Sequence, residues 1–66
     1  MNFLIFTVNG KEMDTNDNEY FHGYRNYVPY EGQTVIANGV KYIVQSITPD
    51  YSYGGQRLFI EVTKVN

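Results

Sequence analysis

The sequence predicts an all-β fold: a small, partly open, five-stranded antiparallel barrel formed by a single domain over residues 1–66. Short runs of β-branched and aromatic residues alternate with Asn-Gly and Gly-Gly pairs, which favour tight hairpin turns. Apolar and polar residues alternate along several of these runs, as in strands with one buried face. The chain has no Cys, so aliphatic and aromatic side chains alone must stabilise this small domain.

The most clearly defined element is a hairpin centred on Asn38-Gly39. A type I′ turn needs positive φ at both central residues, and Asn and Gly adopt it at least cost. Counting outward from the turn gives three pairs on a mostly apolar face: Ala37 with Val40, Val35 with Tyr42, and Gln33 with Val44. The opposite face is mixed and holds two pairs: Ile36 with Lys41, and Thr34 with Ile43.

A first strand is predicted over residues 3–8, followed by a turn at Asn9-Gly10. This strand is apolar on both faces, which is typical of a central strand or of an edge covered by a partner. The second strand lies either at 11–13 or at 20–25. The aromatic run 20–27 has no clear period, and we favour a strand or irregular structure over a short helical turn.

The last two strands are predicted near 40–53 and 56–65, with a turn at Gly54-Gly55; the alternative makes 48–56 a loop. The long hairpin separates apolar from polar positions by pairing Ile47 with Val62, Pro49 with Ile60, and Tyr51 with Leu58. Apolar positions are even up to Val44 and odd from Ile47, so a β-bulge is predicted near Gln45-Ser46. Such bent strands close naturally into SH3-like or OB-like barrels.

The segment from Pro29 onward follows the pattern P-x-x-G-x-x-V-x-x-x-G-x-x-Y-x-V, with Asp50-Tyr51 a strand later. Its residues are Pro29, Gly32, Val35, Gly39, Tyr42 and Val44. This resembles the small SH3-like β-barrel proteins encoded by bacteriophages and other mobile elements, over about residues 28–65. The resemblance implies a fold and a phage origin and transfers no catalytic residue. Family members usually carry an acidic residue where this chain has Gln33, and the N-terminal half has no counterpart in the family.

Charge and composition disfavour several classes of function. The net charge is −2, and the five Lys/Arg are scattered, which argues against nucleic-acid binding. No apolar run spans a membrane and no signal peptide is recognised, so a soluble intracellular protein is the default expectation. What the resemblance implies is a bacterial host cytoplasm as the location, with the virion as the alternative. One His (His22) and no Cys predict no enzyme, no cofactor and no zinc site.

A calcium loop is the one metal-site pattern that the chain approaches. Asp14, Asn16 and Asn18 occupy the first, third and fifth positions of an EF-hand loop. Glu19 stands at the Gly position, however, and Arg25 stands where a bidentate Glu is needed. A solvated polar loop is therefore the preferred interpretation.

Tyrosine is the most informative remaining residue type. Tyr42 and Tyr51 are expected in the core or at its edge, and the other five exceed what a small barrel buries. Exposed Tyr is a frequent anchor at protein interfaces, although these rings could instead cover a thin core. The predicted partner-binding surface combines them with nearby carboxylates: Asp14, Asp17, Glu19, Tyr20, Tyr24, Tyr27, Tyr30, Glu31 and Tyr53.

This surface predicts a non-enzymatic module that binds a host or phage protein with a basic surface. With the resemblance, the most concrete version is a phage accessory protein that inhibits a host enzyme or defence complex. One alternative is a virion or tail component that packs as a homo-oligomer, with the apolar first strand as the assembly edge. Another is a binder of single-stranded nucleic acid or sugar by aromatic stacking.

Overall fold

A computed structural model describes residues 2–13, 23–37, 39–52 and 57–65. These residues form a single sheet of six strands, and no helix occurs among them. The strands are β1 (Asn2–Val8), β2 (Lys11–Glu12), β3 (Gly23–Arg25), β4 (Thr34–Ala37), β5 (Val40–Asp50) and β6 (Arg57–Lys64). The all-β prediction is therefore confirmed.

The sheet is mixed and open. Its order is β2-β1-β6-β5-β4, with β3 also paired to β1. β1 runs parallel to β6, and the other neighbouring strands are antiparallel. The prediction of a wholly antiparallel barrel is wrong on this point, and the described strands do not close into a barrel. The first and last strands are not joined by a short turn, so no turn signal in the sequence predicts their parallel pairing.

β1 is a central strand, and its residues from Leu4 to Thr7, which point to both faces of the sheet, are buried. β6 pairs with one side of it, and β2 and β3 share the other side. The two positions considered for the second strand, 11–13 and 20–25, therefore both contribute a short strand beside β1, Lys11–Glu12 and Gly23–Arg25. The predictions for residues 14–22, namely the polar loop, the calcium pattern and His22, lie outside the described residues. Because β1 is covered on both sides, it is not the assembly edge expected of a virion component.

Antiparallel hairpins flank both Asn-Gly pairs, as predicted, although Asn38 itself lies outside the described residues. Asn9 and Gly10 have φ angles of 54° and 78°, and β1 pairs with β2 across them. The register of β4 and β5 matches the prediction in all four described pairs, from Thr34 with Ile43 to Ala37 with Val40. The Val44 N–H extends the ladder by donating to the Gln33 carbonyl at 2.9 Å.

β5 and β6 pair antiparallel as the predicted long hairpin requires, although the predicted turn at Gly54-Gly55 lies outside the described residues. The register shifts between Val44 and Ser46, which confirms the predicted bulge. Beyond the bulge, Ile47 pairs with Ile60, two residues away from the predicted partner Val62. A shift of two residues leaves every side chain on its predicted face, so alternation alone does not distinguish the two registers. One consequence is that Tyr51 lies beyond the end of β5 and is 76% exposed, so its predicted place at the core is wrong.

The main core cluster lies on one face of the sheet, and Ile5 of β1 is buried on the opposite face. The main cluster consists of buried side chains: Leu4, Phe6, Met13, Val44, Ile60 and Val62. Partly buried residues pack around it, including Tyr42, as predicted, and Val28 from the segment that joins β3 to β4. This segment carries much of the predicted partner-binding surface, so its attachment to the core positions that surface.

Candidate protein-binding surface

The connection between β3 and β4 places two tyrosines on the outside of the molecule. Val28 packs against the core and Pro29 is buried. Tyr27 and Tyr30, on either side of this pair, are 60% and 63% exposed. Burying the two central residues anchors the segment, and the flanking rings remain available to a partner.

A tight turn follows at residues 30–33. The Gln33 N–H donates to the Tyr30 carbonyl at 3.1 Å, and Gly32 has a φ of 86°, a conformation that a type II turn requires at this position. Glu31 lies at the exposed tip of this turn. The turn therefore holds one carboxylate beside the Tyr30 ring.

The side chain of Gln33 connects both tyrosines. Its Nε2 donates to the Tyr27 hydroxyl at 2.6 Å, and its Oε1 accepts from the Tyr30 N–H at 3.1 Å. A side-chain amide offers a donor and an acceptor at once, which a carboxylate does not. In the sequence, Gln33 is marked by its predicted pairing with Val44 and by its departure from the family pattern, and no periodic signal connects it to Tyr27.

Tyr24 is the third exposed tyrosine, on β3. It is 60% exposed and lies opposite Phe3 of β1, with the ring centroids 5.0 Å apart and the planes at 84°. This is the edge-to-face geometry that aromatic pairs prefer. The Arg25 Nη1 also donates to the Tyr24 carbonyl at 2.8 Å. Tyr24 is thus held by an aromatic contact as well as by the strand.

The row that contains Tyr24 continues across the sheet. Phe3 is also the register partner of Arg57, whose guanidinium carbon lies 5.8 Å from the Phe3 ring centroid, within cation–π range. Arg57 in turn pairs with Asp50 of β5. Hydrogen bonds from Ser52, first its N–H at 2.9 Å and then its hydroxyl, lower the pKa of Asp50, and the Arg57 charge adds to the effect.

We call Tyr24, Tyr27, Tyr30 and Glu31 the tyrosine surface. All four are exposed, so the structure leaves this part of the predicted site accessible. The remaining predicted members lie outside the described residues: Asp14, Asp17, Glu19, Tyr20 and Tyr53. The acidic half of the surface therefore remains a prediction.

One carboxylate outside the tyrosine surface has a structural role. Glu61 of β6 lies opposite Thr7 of β1, and its Oε1 accepts from the Thr7 hydroxyl at 2.5 Å and from the Gly10 N–H at 3.1 Å. These hydrogen bonds, that of Thr7 above all, lower the pKa of Glu61 although partial burial acts to raise it. Glu61 thus ties the β1–β2 turn to β6.

Among the described residues, no group of three His, Cys, Asp or Glu side chains is arranged to hold a metal ion. Within the same residues, no helix is long and apolar enough to cross a membrane. Comparison of the chain with protein-family models, with curated proteins and with solved structures finds no match.

Proposed function

We propose that this protein is a non-enzymatic module that binds another protein through the tyrosine surface. The observation that carries the proposal is the exposure of three large rings, each at least 60% accessible. Gln33 bonds the Tyr27 hydroxyl and the Tyr30 backbone N–H, and Phe3 contacts the Tyr24 ring. A ring that is positioned before binding, such as that of Tyr27 or Tyr24, loses less entropy when a partner arrives, which favours affinity.

The charge of the surface suggests the kind of partner. Glu31 is an exposed member of this surface, and Asp14, Asp17 and Glu19 belong to the segment that leads into β3 in the sequence. An acidic and aromatic surface suits a partner with a basic surface, such as an enzyme that handles nucleic acid. In the most concrete version, the protein acts in the cytoplasm of a bacterial host as a phage accessory inhibitor of a host enzyme or defence complex.

The phage origin and the SH3-like assignment both rest on the resemblance over residues 28–65. The β4–β5 hairpin and the bulge in β5 support an SH3-like relationship, with the OB-like barrel as the alternative. The parallel β1–β6 pair is the feature that departs from it. Binding through the tyrosine surface does not depend on this assignment.

An affinity capture tests the proposal. The tagged protein is incubated with nuclease-treated bacterial lysate, and a retained protein is identified by mass spectrometry and purified. Its affinity is then compared between the parent chain and the Tyr27→Ala and Tyr30→Ala variants. We expect at least about a thirtyfold loss, since anchors at interface centres contribute about 2 kcal/mol or more.

Tyr51→Ala is the matched control, because Tyr51 is 76% exposed and is not part of the tyrosine surface. It should leave the affinity unchanged. Neutralising Asp14, Asp17, Glu19 and Glu31 to their amides should weaken binding at low salt more than at high salt. Full affinity in the two tyrosine variants would reject the proposed surface, and recovery of no protein except this one would reject the proposed function.

A second candidate function rests on the row formed by Tyr24, Phe3 and Arg57. Two aromatic rings and a guanidinium on one sheet face could bind single-stranded nucleic acid or a sugar by stacking. Titration with a fluorescent oligonucleotide and with oligosaccharides tests it. Saturable binding that is lost in Tyr24→Ala would favour this function over protein binding.

A further inference from the structure

β4 forms the outer edge of the sheet. It pairs with β5 on one side, and no described strand lies on its other side. The strand reads Thr-Val-Ile-Ala and contains neither a charged residue nor a proline. Proteins usually protect an exposed edge with such residues, so β4 is an unprotected edge.

The hairpin geometry determines which backbone groups point outward. Across a two-residue turn, the closing pair Ala37–Val40 is hydrogen-bonded, and hydrogen-bonded pairs then alternate along the ladder. The bond from the Val44 N–H to the Gln33 carbonyl follows the same alternation. The N–H and C=O groups of Thr34 and Ile36 therefore point away from β5, toward the open edge.

The side chains of the edge are also incompletely covered. Ile36 is 67% exposed, which is unusual for a large aliphatic residue in a strand. Val35 is only partly buried and contacts the core from its margin. A second strand beside β4 would cover both residues, one on each face of the sheet.

We propose that two copies of this chain associate by antiparallel pairing of their β4 strands, about a two-fold axis at Val35. In this register Thr34 of each copy pairs with Ile36 of the other, so each outward N–H meets an outward C=O. Val35 then faces its own symmetry mate in a non-hydrogen-bonded pair, where side chains approach most closely. The core clusters of the two copies are then connected through the contact between the two Val35 side chains.

Charge complementarity favours a second copy over an unrelated strand. Glu31 precedes β4 at one end, and Lys41 lies opposite Ile36 near the other end. Antiparallel pairing brings the Glu31 end of one copy beside the Lys41 end of its partner. Because the strand has only four residues, the interface is small, and we expect a weak, concentration-dependent dimer.

Sedimentation equilibrium from micromolar to millimolar concentration tests the proposal. The mean mass should rise from 7.7 kDa toward twice that value. Ile36→Lys should weaken association about tenfold or more, because it places like charges on both copies at the edge. Tyr51→Lys is the matched control: it adds the same charge at a residue that is 76% exposed and lies outside β4, and it should not weaken association.

Amide hydrogen exchange identifies the surface independently of mutation. In the monomer, the outward amides of Thr34 and Ile36 should exchange rapidly, and their protection should rise with protein concentration. A monomer at every concentration would overturn the proposal. So would association that leaves these two amides unprotected, or protection that appears only when a different protein is added, since the edge would then serve another chain.

Discussion

Replacing Glu61 with Gln tests whether a charged hydrogen-bonding group secures the β1–β2 turn to β6. The Oε1 atom of Glu61 accepts from the Thr7 hydroxyl at 2.5 Å and from the Gly10 N–H at 3.1 Å. Thr7 itself is 8% exposed, so its hydroxyl has little access to water as an alternative partner. Gln keeps the shape and one acceptor oxygen, and it removes only the negative charge.

The size of the effect follows from these two bonds. Hydrogen bonds to charged groups contribute about 1.5–3 kcal/mol, and neutral ones about 0.5–1.5 kcal/mol. The difference is about 1 kcal/mol for each bond, and solvent reduces it because Glu61 is only partly buried. We expect the variant to lose about 1–2 kcal/mol of unfolding free energy at neutral pH. For a domain of this size, each kcal/mol lowers the Tm by about 4–8 °C.

The dependence on pH has a definite sign. The folded-state pKa of Glu61 lies below its ordinary value of 4.5, so the unfolded chain takes up a proton more readily. The stabilisation is therefore present in full above pH 4.5 and is lost as the pH falls through the folded-state pKa. The difference in stability between the parent chain and Glu61→Gln should be constant near neutral pH and should shrink in acid.

Urea unfolding followed by circular dichroism measures this difference at each pH. Glu31→Gln is the control, because it makes the same charge change at an exposed turn, and it should have little effect. An equal stability of parent and Glu61→Gln at neutral pH would refute the reasoning. A difference that persists unchanged into acid would also refute it, since the charge would then not be the cause.

Three further predictions concern the turn, the tyrosine surface and the core. Gly32→Ala should lower the unfolding free energy by about 1–2 kcal/mol, because Gly32 has a φ of 86° that an L residue adopts only with strain. The added Cβ meets no atom within 4 Å, so the loss measured by denaturant unfolding would come from the backbone and not from a steric clash. Gln33→Leu should release the Tyr27 hydroxyl and lower partner affinity while the fold persists, as titration calorimetry beside circular dichroism would show. Ile60→Val should lower the unfolding free energy by about 0.5–1.5 kcal/mol in the same assay, because Ile60 is 0% exposed. The control Ile36→Val, at a residue that is 67% exposed, should leave the unfolding free energy nearly unchanged.

The parts of the fold that the sequence predicted are those encoded by local chemistry. The Asn38-Gly39 turn fixes the register of β4 and β5, because a two-residue loop leaves no freedom in counting outward. The bulge near Ser46 was predictable because apolar parity changes only once along β5. The register beyond the bulge was not predictable, since alternation has a period of two and registers two residues apart put the same side chains on each face.

The parts that could not be predicted depend on contacts between distant residues. The parallel pairing of β1 with β6 joins strands from the two ends of the chain. Nothing in the sequence of either strand indicates whether it pairs parallel or antiparallel. The exposure of Tyr24, Tyr27 and Tyr30 followed from counting more rings than the core can hold. The role of Gln33 could not be predicted, because the hydrogen bond from its amide to the Tyr27 hydroxyl does not depend on any periodic pattern in the sequence.

Gln33 links the tyrosine surface to the β4 edge. Its side chain holds Tyr27 and Tyr30, and its backbone carbonyl accepts the Val44 N–H at the start of the β4–β5 ladder. A partner that binds Tyr27 and Tyr30 therefore also restrains Gln33, the residue that immediately precedes β4.

If the surface and the edge both bind as proposed, partner binding and dimerisation should be coupled through Gln33. Any change that the partner causes in the dimer dissociation constant must then be matched by an equal effect of dimerisation on partner affinity, because binding linkage is reciprocal. Gln33→Leu should remove this coupling, whereas Tyr24→Ala, at a residue of the tyrosine surface that contacts Phe3 and has no hydrogen bond to Gln33 among those described, should weaken partner binding and preserve it.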